Sequence, residues 1–215
     1  MTIPNLMYKH QEKVLVKRLT QTYAIFGEAY KNAVYKEGPA NTWDIGTQDS
    51  AAGALKLYNI FKPHLQLVDD CGLSTGCFYK GQYKSLSGNS YFQVYPYKHS
   101  LYARGQLKNG VSFFFWSNGS GCPDNNCGTL GVDLNGVDPP NQSGIDFFYF
   151  GITNDDVYPN IPFRNRYGSF PCKYNDNVKT NGLACTAWVI LKQNMDYRRK
   201  DVSAEMAKLK IFQQY

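Results

Sequence analysis

Nowhere in the 215 residues is there an unbroken apolar run of the roughly 18 residues that a membrane-spanning helix needs. No charged stretch followed by an apolar one marks a secretory signal at the start. Histidine is scarce: His10, His64 and His99 stand singly, so neither paired zinc-type histidines nor a recognisable Cys-His catalytic setting is available. A P-loop, a Rossmann fingerprint and a Ser-His-Asp order are all missing. Glu12, Glu28, Glu37 and Glu205 fall in helical or connector segments, away from the loops of the strand-rich part, so the paired carboxylates of a glycosidase are not in evidence. These absences leave no enzyme class indicated. Internal repeats and low-complexity tracts are also absent, which excludes solenoids and flexible arrays.

With 43% hydrophobic and 19% charged residues, the chain has the profile of a folded domain rather than a disordered one. Six cysteines, Cys71, Cys77, Cys122, Cys127, Cys172 and Cys185, form an even set. Their spacing suits disulfides better than zinc, with 71–77, 122–127 and 172–185 the favoured pairing among the fifteen that six cysteines allow. Short loops of this kind read as pins on exposed loops of a sheet domain. The formal charge is +6, partly gathered as Lys9, Lys13, Lys17 and Arg18 on the first helix and Arg198 to Lys200 before the tail. Such a face can meet anionic lipid or nucleic acid, but a solvated helix face is the simpler reading, and no nucleic-acid-binding signature accompanies it.

Apolar residues at Leu15, Leu19, Tyr23, Phe26, Tyr30 and Ala33 recur at the helical period, predicting a helix from Asn5 to about Tyr35, stopped by Gly38-Pro39. Residues 1–40 form this helix and 41–76 a connector holding a short helix in "SAAGALKLYNIF", capped by Ser50. Residues 77–197 form an antiparallel sheet domain and 198–215 a tail with a short helix. Asp201 is the tail helix's candidate N-cap, with Val202, Met206, Leu209 and Phe212 at helical spacing. In "SLYARGQLKNGVSFFFW" the Asn109-Gly110 dipeptide predicts a type I′ hairpin turn. "TLGVDL", "IDFFYFGIT" and "CTAWVILK" are the further strands. The fold class is α+β: a long N-terminal helix on one face of an antiparallel sheet of about four or five strands, all one globular domain.

Trp116 and Trp188, in strand-like runs, read as core, whereas Trp43 in the connector is the candidate exposed ring on which a sugar would stack. The loop "DLNGVDPPNQSGID" places Asp133, Asn135, Asp138 and Asp146, with the carbonyl of Val137, where oxygen ligands for calcium would be needed. The same residue types make turn hydrogen bonds to their own backbone. Asp155 and Asp156 read as an exposed turn.

The opening "MTIPNL", the long amphipathic helix, "GVDLNGVDPPNQSGIDFFYF" and "CTAWVILKQNMDY" together resemble the type IV pilins and type II secretion pseudopilins of bacteria, over the chain up to about Tyr197. The resemblance implies a non-enzymatic subunit of a pilus or secretion filament, in the cell envelope or at the surface. Its partners would be other pilin or pseudopilin subunits, the inner membrane and a prepilin peptidase. A leader and most of an apolar segment would precede Met1. Leu15, Leu19, Tyr23, Phe26 and Tyr30 become the candidate helix-packing and filament-packing residues. Loop-bound calcium occurs in major pseudopilins, which makes calcium the one cofactor candidate. The alternative function is a secreted, disulfide-stabilised module binding a glycan or another surface ligand.

Overall fold

The computed structural model describes residues 3–88, 95–161, 163–165 and 168–209. Helix α1 runs Ile3–Glu37, close to the predicted span, and Gly38 closes it in the left-handed region (φ 85°) with its N–H on the Val34 carbonyl. Helix α2 (Ala51–Phe61) begins where Ser50 Oγ accepts the Gly53 N–H at 2.9 Å, the cap expected from the sequence. No helix among the described residues is long and apolar enough to cross a membrane.

Six strands follow: β1 (Leu67–Gly72), β2 (Ala103–Leu107), β3 (Ser112–Ser117), β4 (Gly128–Asp133), β5 (Phe147–Ile152) and β6 (Val157–Pro159). They pair in sequence order, every pair antiparallel, as a simple meander. A separate hairpin joins β7 (Phe163–Asn165) to β8 (Gly168–Phe170), and α3 (Thr186–Lys192) and α4 (Ser203–Lys208) complete the chain. The sheet has more strands than expected because β1, in the segment read as connector, and the short β6 both join it. "CTAWVILK" is a helix and not a strand. A short, continuous apolar run carries no decisive period, and here the Ala187 N–H goes to the Asn160 carbonyl while Thr186 Oγ1 donates to Tyr149 O, turning the segment off the end of the sheet.

The β2–β3 turn also departs from expectation. Gly110 takes φ 84°, its N–H bonds Leu107 O, and Leu107 N–H bonds Val111 O, which makes a three-residue loop of a type I turn plus a glycine bulge rather than type I′. Neighbours hold this loop: Lys108 N–H reaches Gln66 O, and Arg18 of α1 donates to Asn109 O at 3.1 Å.

Alternate residues of the sheet face two cores. Phe113, Phe115, Leu130, Val132, Phe148 and Phe150 turn toward α1 and α2. Phe114, Phe147 and Tyr149 turn the other way, onto Phe78, Tyr83, Tyr102 and Leu183 of the long connections. Both faces are thus covered, one by helices and one by coil, which explains why "FFYF" is apolar without alternation. Arg104 of β2 is buried under the second face and donates to the carbonyls of Leu73, Ser74, Pro96 and His99, holding the 73–99 connection down. Trp43 is buried, not exposed: it packs on Tyr30 and Phe61 and donates its ring N–H to Gly38 O.

Both sheet edges are guarded. β1 carries two register breaks and the exposed Asp69 and Asp70, and β6 is three residues long and ends on Pro159. The three disulfides pair as favoured, 71–77, 122–127 and 172–185, and such bonds accord with an oxidising, extracytoplasmic compartment. They are not exposed pins: Cys122, Cys127, Cys172 and Cys185 belong to the helix-side core and Cys77 to the other. In the tail, Val202, Met206 and Leu209 are buried as their spacing suggests. Asp201 Oδ1 accepts the Ser203 N–H although Val202 is the residue at the cap position. Phe212 lies outside the described residues.

Leu19 is fully buried and Lys13 exposed. Leu19→Ala should therefore cost about 2–5 kcal/mol, the loss for a cavity in a packed core, and Lys13→Ala about 0.5 kcal/mol or less. Urea denaturation of both variants checks this, and equal midpoints would contradict the packing of α1.

Candidate functional site

Two places concentrate chemistry: the β4–β5 loop and the junction of α1 with the C-terminal segment. In the loop, Asp133 at the end of β4 and Asp146 just before β5 are both buried, so the strands that build the sheet deliver two carboxylates into its interior. Tyr83 O–H donates to Asp133 Oδ2, and the Asn135 N–H reaches Asp133 Oδ1 at 3.1 Å. Asp146 Oδ1 accepts the Gln142 N–H at 2.6 Å, and its backbone carbonyl takes the Leu134 N–H. Asn135 Nδ2 bridges to the carbonyls of Asp138 and Pro140. Burial, then the neighbouring Asp146, pushes Asp133 well above the usual carboxylate range. Burial pushes Asp146 up to about 7, against the hydrogen bond from Gln142.

The five residues read as a calcium set are split by burial: Asp133 and Asp146 lie inside, Val137 and Asp138 are exposed, and Asn135 is between. Asp133 has donors on both oxygens, and among the described residues no three acidic, histidine or cysteine side chains gather. The oxygens left without a hydrogen-bond partner are Asn135 Oδ1, Asn141 Oδ1 and Ser143 Oγ, and a hard cation here would draw on those rather than on Val137. Most of the loop's bonds are those of a self-bonded turn. Tyr83 was invisible as a partner because it lies 50 residues from Asp133 in sequence, whereas Asn141 lies within the loop and was not among the residues read as ligands.

At the second place Glu12 of α1 is buried and reaches across to the C-terminal segment. Its carboxylate accepts the Met195 N–H at 3.0 Å and two bonds from Arg199, at 2.5 and 3.1 Å. Arg199 also holds Asp196, which pairs with Lys200. Burial alone would raise the Glu12 pKa, but the bonds from Arg199 and Met195 outweigh it and hold the group below its ordinary value. Arg198 lies over the ring of Tyr8 at 4.7 Å.

The predicted packing stripe is spent within the chain. Leu19, Phe26 and Tyr30 are buried, and Leu15 and Tyr23 pack at the margin of the same core, Tyr23 stacked on Phe150 at 5.6 Å. The exposed face of α1 carries Met7, Val14, Lys17, Gln21, Ala24 and Glu28 instead. Asp155 and Asp156 sit exposed in the β5–β6 turn, as the sequence suggests. No family model matches this chain, and neither a curated protein nor a solved structure does.

Asp146 makes the pH dependence of stability specific. A carboxyl whose folded pKa is about 7, against about 3.9 unfolded, binds more protons folded than unfolded between those values, so it destabilises the fold as pH rises through that window. Asp146→Asn should reduce the fall in stability between pH 5 and 7, with Asp133 supplying what remains, and raise the stability at pH 8 by a few kcal/mol (order of magnitude). Thermal melts at each pH read this out, and an unchanged profile would contradict it. The same profile in calcium tests the cation reading, since a bound cation would hold Asp146 ionised and abolish the slope.

Proposed function

We propose that this chain is a non-enzymatic structural subunit of a bacterial type IV pilus or type II secretion filament. The observation that carries the reading is the relation of α1 to the sheet. The helix has 35 residues, about 50 Å at the helical rise, and its buried positions run from Glu12 to Ala33. Met7, Lys9, His10 and Gln11 are exposed and Tyr8 is half-buried under Arg198, so burial along α1 is sparse before Glu12 and continuous after it. A helix held in this way can serve as the spine of an assembly and carry a domain on its side.

The guarded edges of the sheet support the same reading. Assembly through strand addition would need a free, regular edge, and β1 and β6 offer none of useful length. Helix packing is then the route left to a polymer, with the partners being further copies or related subunits. Before assembly the subunit would be held in the inner membrane by an apolar segment ahead of Met1, processed by a prepilin peptidase. The three disulfides fit a domain displayed outside the cytoplasm.

Mass spectrometry of the N-terminus of the native protein from its source cells tests this. The expected result is an N-methylated residue followed by an apolar stretch running into "MTIPNL". A start at Met1, or at a conventional signal-peptidase site, would overturn the filament reading in favour of a secreted binding module.

A further inference from the structure

We propose that copies of this chain join end to end through opposite charge, the Asp155-Asp156 turn of one copy seating against the lysine-flanked groove on α1 of the next. The proposal rests on the filament reading and names the contact within it.

The meander sorts its loops to two ends. The β3–β4 and β5–β6 connections lie at the end where Tyr30 O–H reaches Thr153 O, and the β2–β3 and β4–β5 connections at the end where Arg18 reaches Asn109. At the first end Lys56 is paired with Asp44 and Lys36 with Glu37, and Lys31, next to Tyr30, is exposed as the one further cation of α1 there among the described residues. Asp124, Asp155 and Asp156 have no cationic partner among the described residues. They sit on the two connections there, and Asp155 and Asp156 are exposed in a tight turn.

At the other end the signs reverse. Glu12 and Asp196 are answered by Arg199 and Lys200, and the exposed Asp138, Asp201 and Glu205 are matched in number by Arg18, Lys108 and Lys208. That leaves Lys9, Lys13, Lys17, Lys192 and Arg198 in excess, none with a carboxylate partner among the described residues. A groove of about 300 Å³ opens there, lined by Lys13, Val16, Lys17, Thr20, Gln21 and Gln193. Lys13 and Lys17 line this groove, and their charge complements a protruding pair of carboxylates.

The two patches differ, so each copy presents a donor surface at one end and an acceptor at the other. Such a heterologous contact forms a ring where its rotation closes and an open filament where it does not, and the filament reading takes the open form.

Carbodiimide coupling, which joins an amine to a carboxylate only in direct contact, tests the proposal. Lys17 is roughly 20 Å along α1 from Tyr30, which reaches the acidic turn, and links of Lys13 or Lys17 to Asp155 or Asp156 are read from coupled dimers separated by size from single chains. The expected result on the purified chain is such links, found by peptide mass spectrometry and reduced tenfold or more in 0.5 M salt. Asp155→Lys with Asp156→Lys, and separately Lys13→Glu with Lys17→Glu, should each abolish the coupled dimers. Mixing the two variants should restore dimers through their reversed ends, the introduced amines of the turn in one variant coupling to the introduced carboxylates of the groove in the other. Absence of these links, or no restoration on mixing, overturns the contact. The same coupling on filaments sheared from source cells separates the two readings. Links between other faces there would overturn the contact and leave the filament standing, and the absence of this chain from the filaments would remove both.

Discussion

The packing of α1 on the aromatic face of the sheet is the constraint from which the rest of the structure follows. Phe26 meets Phe113 edge-on at 5.2 Å and Phe115 at 6.1 Å, and Phe61 of α2 packs on Phe115 at 4.7 Å, so both helices share one aromatic floor. Each such side chain removes roughly 1.5–3 kcal/mol worth of apolar surface from water, and aromatic pairs add directional preference. Because that floor belongs to β3, one of the two central strands of the meander, the register of the sheet and the placement of α1 are set together. Glu12 then fixes the helix at its other end: a carboxylate buried beside Met195 and Arg199 ties α1 to residues far along the chain. Losing Arg199 would strand a buried charge, a loss larger than the worth of the pair itself.

The second face is solved differently. No helix covers it, so the long connections must satisfy their own backbone while burying aromatic rings. Arg104 does this for one connection by gathering four carbonyls, and the 71–77 disulfide closes the same segment near its start. Tyr83 anchors its continuation on Asp133, so the carboxylates of the β4–β5 loop are structural elements of this coil layer. The 172–185 disulfide lies in the helix-side core, beside α3, and joins the coil that covers the second face to the helix at the sheet's end. The chemistry of the molecule is therefore mostly internal, and what reaches the surface is charge, sorted by the meander into two unlike ends.

Features with a local physical cause were legible in the sequence. The period of Leu15, Leu19, Tyr23, Phe26 and Tyr30, the Ser50 cap and the glycine stop at Gly38 each act within a few residues, and each appears where expected. The cysteine pairing was legible because each partner is near in sequence, but the burial of the sulfurs was not, since it depends on which layers meet around them. Trp43 and α3 were misread for the same reason: an aromatic ring in a connector, or five apolar residues in a row, takes its state from the tertiary partner. The turn at Asn109-Gly110 shows the intermediate case, where the dipeptide gave the place of the turn and the bonds from Gln66 and Arg18 go with its type. At the site, Asp133 and Asp146 were found by motif, whereas Tyr83, Arg199 and Met195 could not be, being brought together only by the fold.

The central claim is that α1 from Glu12 onward and the six-stranded sheet are one cooperative unit, with the exposed turn at 9–11 held less firmly. Native-state hydrogen exchange resolved along α1 tests this most directly. Amides from about Val16 to Ala33 are expected to exchange only with the sheet's own slowest amides, at the free energy of global unfolding, and those up to Gln11 to exchange far faster. Uniformly fast exchange along the whole helix, with the sheet still protected, would show α1 to be a detachable arm and would contradict the claim.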